Sequence, residues 1–388
     1  MLELGGFIAG PFAGQLLGDQ GAEVIKLEAP PLGDAMRRWG VCRGGRSLWW
    51  PAIARNKKSV VIDLHQGEGR LIARQLASHC DIVIENFRPG KLGDWGLDYD
   101  TLSELNPKLI MVHVSGFGQD GPRRKDPGFG SIGEATGGIR HTTGSSDRPP
   151  ARAGISLGDS LAALFAVIGA LAAMKERDVS GLGQEVDVAI YEAVFALMES
   201  TVADYELAGI TRGRSGGALP GVAPSNAYPT SDGHEVVIAA NADSIFTRLC
   251  LAMGRPELAH STKYGDHTSR GLHSNELDEE IIRWTRSHEL ADLIAALKEN
   301  AVPYGTVNTA AEIAHDPLFE ARSMLVRLDA GFEAPIPMAG IVPKLSRTPG
   351  GIRWVGPSLG EHTDEVLTEV LHLDGDEVMR LRRLRAVQ

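Results

Sequence analysis

Cysteine is scarce in this chain of 388 residues: Cys42, Cys80 and Cys250 are the only three, far apart and with no CxxC pair. That excludes a disulfide framework and a cysteine-built zinc site, and it fits a reducing compartment such as the cytoplasm. The 12 histidines show no HxxxH or HExxH spacing, so no metal site is expected. A phosphate loop ending in Gly-Lys-Ser or Gly-Lys-Thr is missing too. The longest apolar run, 161–174, falls short of the about 20 residues that a bilayer span needs. No charged segment leading into an apolar stretch follows Met1, so neither a membrane anchor nor a secretory signal is expected. An excess of positive charge is also lacking. With 39 Lys and Arg against 50 Asp and Glu, the net charge is −11, which argues against general nucleic-acid binding.

What is present is the composition of a globular protein, 43% hydrophobic and 23% charged, on a chain long enough for two domains. Runs rich in Val and Ile predict strands over 22–28, 59–63, 81–85, 108–114 and 184–190. Helical spacing over 11–20 and 67–80 separates the first of these. Strand–helix–strand repetition predicts an α/β fold, a parallel sheet covered on both faces. A Gly-, Ser- and Pro-rich stretch, 142–154, interrupts the pattern. The segment 161–174 that follows is apolar on every side and is expected to form a fully buried helix, and a further helix is expected over 191–207. Around 213–229 the chain reads as a loop into a second domain, with a strand at 235–240 and helices near 243–253, 275–286 and 289–300. The expected division is 1–205 for the first part of a large domain, 206–323 for a small one, and 324–388 as a return to the large domain, with helices over 363–371 and 376–384.

Four features carry chemical content. The N-terminal GGFIAGPFAGQLLGDQGAEVIKLE looks like a dinucleotide turn, but Phe7 stands where the second glycine of G-x-G-x-x-G is required. A Rossmann-like unit survives this test; nicotinamide or flavin binding does not. Asp159, in GISLGDS just before the apolar helix, has two readings. It is an ordinary helix N-cap, or a carboxylate kept ionised by the helix dipole and partly stripped of water, as a nucleophile would be. Between Arg37 and Lys58 lie seven cations and no acid, either a solvated basic loop or a small-anion site. The glycine-dense GRSGGALPG at 213–221 is likewise either a linker or a lid that excludes water.

These pieces together resemble the class III CoA-transferases. The resemblance is carried by AGPFAGQLLGDQGAEVIKLE (9–28), GDAMRRWG (33–40), NKKSVVIDL (56–64), DIVIENFRPG (81–90), SGFGQDGP (115–122), GDSLAALFAVIGALAA (158–173), VPYGTVN (302–308) and GEHTDEVL (360–367). It implies a large Rossmann-like domain built from both chain ends, a smaller inserted α/β domain, and an interlocked-ring homodimer. It implies that Asp159 attacks an acyl-CoA, forming an aspartyl–acyl anhydride and then an aspartyl–CoA thioester, with no tightly bound cofactor. Coenzyme A and carboxylic acids are then the substrates. By position in these motifs, Arg37, Asn56, Lys57, Lys58, Asn86 and Phe87 would line the CoA channel. Arg38, Arg88 and Lys91 are further candidates for its phosphates, and Gly216, Gly217 and Gly221 would form the loop over the nucleophile. Arg140, His141, Arg152, Arg212 and Arg214 are candidates for holding a second carboxylate on a dicarboxylic acceptor. The chain departs from the racemase branch of the family at Phe129, where a histidine base would align, and at Gly130, where an acid is common. Ile8 replaces the glutamine of formyl-CoA transferase. An acyl-CoA racemase and a non-catalytic CoA-binding relative remain the alternatives. The family also carries several residues ahead of its first strand, whereas this chain begins inside it, which implies a longer natural N-terminus.

Overall fold

The computed structural model describes Met1–Gln388 and divides into two compact units. The first comprises Met1–Ile139, Ala153–Glu199 and Leu318–Gln388; the second comprises Arg140–Arg152 and Ser200–Pro317. The second unit therefore starts at 200 and ends at 317, rather than at 206 and 323. It also takes in the Gly- and Pro-rich stretch after Ile139, which was expected to stay with the large domain.

The first unit is built on six parallel strands, β1 (Leu2–Glu3), β2 (Val24–Glu28), β3 (Lys57–Val61), β4 (Ile82–Glu85), β5 (Ile110–Ser115) and β6 (Glu185–Ala189). Their spatial order is β3-β2-β1-β4-β5-β6, the order of a doubly wound Rossmann sheet. Register is set by pairs such as Leu2 with Ile25 on one side and Val83 on the other. One face buries Leu27, Val60, Val83 and Met111 under α2 (Gly67–Ser78) and the C-terminal helices Thr363–Glu369 and Gly375–Arg383. The opposite face buries Ile84, Ile110, Val112 and Val114. It is covered by α1 (Ala9–Asp19), α4 (Leu157–Ser180) and α5 (Ile190–Phe195), while α3 (Gly130–Thr136) packs against α4 and α5. The edge strand β3 does not face solvent bare. Val61 donates its N–H to Thr363 Oγ1 and accepts from Gln388 N, so the chain end seals it.

Two expectations about helices change. The helix predicted over 191–207 is two, α5 and Thr201–Ala208, with a break around Ser200. The apolar helix is 24 residues long, and by length and composition alone it is sufficient to cross a membrane, with a mean hydropathy of 1.9. Its Ala162, Ala163, Ala166, Ala170 and Ala173 lie in the core, yet Leu164, Ile168 and Leu171 are 46%, 60% and 53% exposed. Spacings of four and three place those three on one face. The helix is thus buried along one side and apolar along the other.

The second unit carries an antiparallel sheet of β7 (Ser225–Pro229), β8 (Glu235–Ala239) and β9 (Tyr304–Thr306) in the order β9-β8-β7. Helices Asp243–Ala252, Ser274–Thr285 and Leu290–Glu299 bury Phe246, Leu277, Ile281 and Leu293 around Tyr228. β7 falls inside the stretch read as loop from its Gly and Pro content.

Candidate active site

In an open α/β sheet a ligand crevice forms beyond the carboxyl ends of the strands, where the strand order reverses. Here that point lies between β1 and β4. The loop Gly5–Phe7 leaves β1 and enters α1, and Asn86–Arg88 leaves β4. Asn86 ties the two together, accepting from Gly6 N at 2.9 Å and donating to Gly6 O at 2.8 Å. A Cβ on Gly5 would overlap the Asn86 side chain, so the clamp requires glycine there.

A cavity of about 320 Å³ opens at this junction, and Asp159 is in its wall. Asp159 is not the N-cap of α4. That position is Ser156, whose side chain makes no capping bond, and Asp159 is the third helical residue. The buried Glu134 on α3 takes over part of the capping, accepting from Gly158 N at 3.3 Å. Asp159 is half-buried in the first turn, where the amide dipoles favour its negative charge. Its carboxylate packs on the bare Cα of Gly130, since a Cβ there would lie 2.6 Å from Asp159 Cγ. The neighbouring Phe129 is 64% exposed. Gly154–Gly158 and Gly213–Gly217 also match the G-x-S-x-G spacing of a serine-hydrolase elbow, which needs a strand leading into a helix. Neither follows a strand, so neither serine sits on such an elbow.

The predicted CoA-contacting residues separate sharply. Asn86, Phe87 and Arg88 line the cavity that holds Asp159. Lys91 sits nearby in sequence, but its ammonium pairs with Asp94 at 3.2 Å and stacks over Trp95. Arg38 is exposed and donates to Leu32 O. Three others are engaged within the protein. Lys57 is wholly buried, 2.8 Å from Glu3, and donates to Pro11 O. Asn56 is wholly buried and spends its side chain on Asp19, Gly351 and the N–H of Arg353. Arg37 grips both oxygens of Glu28 at 2.6 and 2.7 Å, donates to Pro357 O and lies over the Trp50 ring. Asn56 and Lys57 are closed off from solvent, whereas Arg37 still borders a cavity of about 370 Å³ with Arg38 and Arg46. Lys58 is paired with Glu365 at 2.8 Å, which raises its pKa above the ordinary lysine value. The cation not anticipated is Arg124, which lines the Asp159 cavity with Arg88. Its only signal was the basic run Arg123–Lys125 after GP.

These buried charges hold the loops rather than the ligand. Lys26 reaches Glu3 at 2.7 Å, Asp34 at 2.8 Å and Gly5 O at 3.0 Å, and Asp34 accepts the N–H of Phe7 at 3.1 Å. On the other loop, Glu85 accepts the N–H of Phe87 at 2.7 Å and meets His113 Nδ1 at 2.6 Å. Burial alone would lift the Glu28 and Asp34 carboxyls. Hydrogen bonds and charge from Arg37 and Lys26 outweigh it and hold both below their ordinary values. Carboxyls depressed on folding contribute stability that is full above their unfolded values, here 4.5 and 3.8, and lost as pH falls through the folded ones. Urea midpoints are therefore expected to hold level at neutral pH and drop below about pH 4.5, and Glu28→Gln should flatten that drop. An unchanged slope in the variant would remove Glu28 from the account.

The glycines proposed as a lid lie in the second unit. Gly216 and Gly221 have left-handed φ values of 66° and 77°, and Gly216 N donates to Gly144 O at 3.0 Å. The loop borders a cavity of about 350 Å³ whose wall includes Ser145, Ser215 and Ser274.

Residues 1–363 match the model of CoA-transferase family III. The chain is 54% identical over its full length to the succinyl-CoA–D-citramalate CoA-transferase of Chloroflexus aurantiacus, covering 96% of that protein. It is 41% identical to the succinyl-CoA–L-malate CoA-transferase beta subunit of the same organism, over 98% of this chain and 95% of the other. Among solved structures, a CAIB/BAIF family protein from Brucella suis superposes with a TM-score of 0.83 at 32% identity, over 95% of this chain and 97% of that one. The doubly wound parallel sheet, the cavity at its switch point and these four likenesses agree: the chain belongs to CoA-transferase family III and is an enzyme that transfers coenzyme A.

Proposed function

We propose that the protein moves CoA from succinyl-CoA to a small dicarboxylic acid through covalent intermediates on Asp159. The observation that carries this reading is the placement of Asp159. Its carboxylate is half-buried in the first turn of α4, in one cavity with Arg88 and Arg124. Neither arginine is engaged in an ion pair, so both are available to a carboxylate of donor or acceptor. The choice of acids is supported by the names of the relatives, which act on succinyl-CoA with citramalate or malate.

The reaction conserves every bond type. Asp159 attacks the thioester carbonyl, the C–S bond breaks, and CoA leaves as the thiolate with an aspartyl–succinyl anhydride behind it. The thiolate attacks the aspartyl carbonyl and succinate departs, leaving an aspartyl–CoA thioester. The acceptor carboxylate then repeats both steps in reverse. Orientation and exclusion of water are what the protein must supply. Closure of the Gly216–Gly221 loop would serve the second of these. Pairing of two copies of the chain would cover Leu164, Ile168 and Leu171 on α4, and sedimentation should report a dimer.

The test is to incubate the enzyme with succinyl-CoA, trap with hydroxylamine or borohydride, and map the modified peptide by mass spectrometry across a panel of acceptor acids. A label on Asp159 and turnover with at least one hydroxylated or saturated dicarboxylate are expected. Turnover without any adduct at Asp159 would sink the covalent mechanism. With Phe129 in place of a histidine base, no solvent deuterium should enter the α-carbon of the acyl group.

A further inference from the structure

Phe7 is a bulky residue held at φ 62°, in the left-handed region, which costs a non-glycine residue about 1–3 kcal/mol and survives only where its surroundings over-determine it. Three bonds do so. Its own N–H is held by Asp34, the preceding Gly6 is clamped at both backbone groups by Asn86, and Gly5 O is held by Lys26. Asp34, Lys26 and the Glu3 that pairs with Lys26 are all buried. The fold does not need the ring itself. Phe7 is 41% exposed, and a glycine would take the same backbone without strain.

What the ring does is visible from the cavities. Besides the one that holds Asp159, a second cavity of about 230 Å³ lies at the ends of β1, β2 and β3, with Leu27, Ile62, His65 and Trp95 in its wall. Gly6, Phe7 and Phe87 belong to both walls. Phe7 also meets Phe129 edge-on at 6.4 Å and Trp39 at 5.5 Å, and Phe129 adjoins the glycine on which the Asp159 carboxylate rests. A thioester that occupies both cavities crosses this shared wall to put its carbonyl beside Asp159.

We propose that Phe7 is a specificity-determining residue of the transfer reaction: fixed in its left-handed conformation by Asp34 and Asn86, its ring sets the width of the passage between the two cavities and so limits the acyl groups that reach Asp159. The inference rests on the CoA-transfer reading. Asp34 and Asn86 are positioning residues in it, acting through the backbone of Phe7.

The experiment compares the full-length enzyme with Phe7→Gly, Phe7→Asn and Phe7→Tyr, using succinyl-CoA and the bulkier benzoyl-CoA as donors. Glycine and asparagine both tolerate this backbone, so both variants should melt no lower than about 2 °C below wild type. For each of them the ratio of kcat/KM for benzoyl-CoA to that for succinyl-CoA is expected to rise at least about ten-fold, while Phe7→Tyr leaves it within about two-fold. A stable Phe7→Gly enzyme whose donor ratio stays at the wild-type value would overturn the inference and leave the transfer reading intact. If the wild type turns over no thioester, the transfer reading fails. The inference is then decided by calorimetric affinities for the same two donors, where an unchanged ratio in Phe7→Gly overturns it.

Discussion

Asp159→Asn should reduce thioester exchange by about 10⁴-fold or more, the scale of loss when a covalent nucleophile is removed, with the fold intact. The two halves of that expectation have separate physical causes. Asparagine keeps the shape of the side chain but offers an amide in place of the carboxylate, so no anhydride can form. The fold survives because the start of α4 does not depend on this residue for its cap. Ser156 occupies the cap position and Glu134 accepts from Gly158 N. At the helix end the substitution forfeits the favourable meeting of a charge with the first-turn amides, about 0.3–1 kcal/mol. Thermal melting should accordingly shift by only a few degrees, and CoA should still bind by calorimetry. A variant that still exchanges CoA at more than one-hundredth of the wild-type rate would exclude Asp159 as the nucleophile.

This residue also illustrates how far the chain alone could be read. Sequence position made Asp159 a cap, and the surrounding motifs made it a nucleophile by resemblance. Its place as the third residue of the helix, with another acid doing the capping, depends on where α3 comes to lie. The parallel sheet was legible because its strands are buried on both faces and read as runs of Val and Ile. β2, β4 and β5 fall within two residues of their expected bounds. The destinations of the charges were not legible. Lys57 and Arg37 belong to a cluster of cations that looks solvated or ligand-binding in one dimension. In three dimensions Glu3, brought near Lys57 by the sheet, and Glu28, reached by Arg37 from the turn after β2, pair with them. A cation followed by apolar strand residues carries no local sign of whether a buried acid lies across the sheet. The apolar face of α4 hid a different fact. Composition specifies that a helix must leave water, but not which surface covers each side.

Gly130→Ala is the sharper test of the site, because it adds a single methyl and removes no functional group. Gly130 does not have a left-handed φ, so alanine brings no backbone strain there. At a helical position it gains up to about 1 kcal/mol over glycine. The added carbon, however, would overlap the Asp159 carboxylate, within 2.6 Å of Cγ. α3 cannot retreat to make room on its own account. Glu134 on α3 is bonded to Gly158 N at the start of α4, and a Cβ on Gly133 would stand 2.5 Å from Ile190 Cγ2 of α5, so α3 is tied to one neighbour and closely packed on the other. The carboxylate must therefore move, by something on the order of an ångström, a displacement of the size that costs about 100-fold in rate. The expected variant melts at or above the wild-type temperature and binds CoA normally. It transfers CoA about a hundred times more slowly, and the loss falls on kcat rather than KM, because the approach to the thioester carbonyl is what has been spoiled. Wild-type kcat in a stable Gly130→Ala enzyme would mean that the Asp159 carboxylate reacts from some position other than the one it occupies against Gly130.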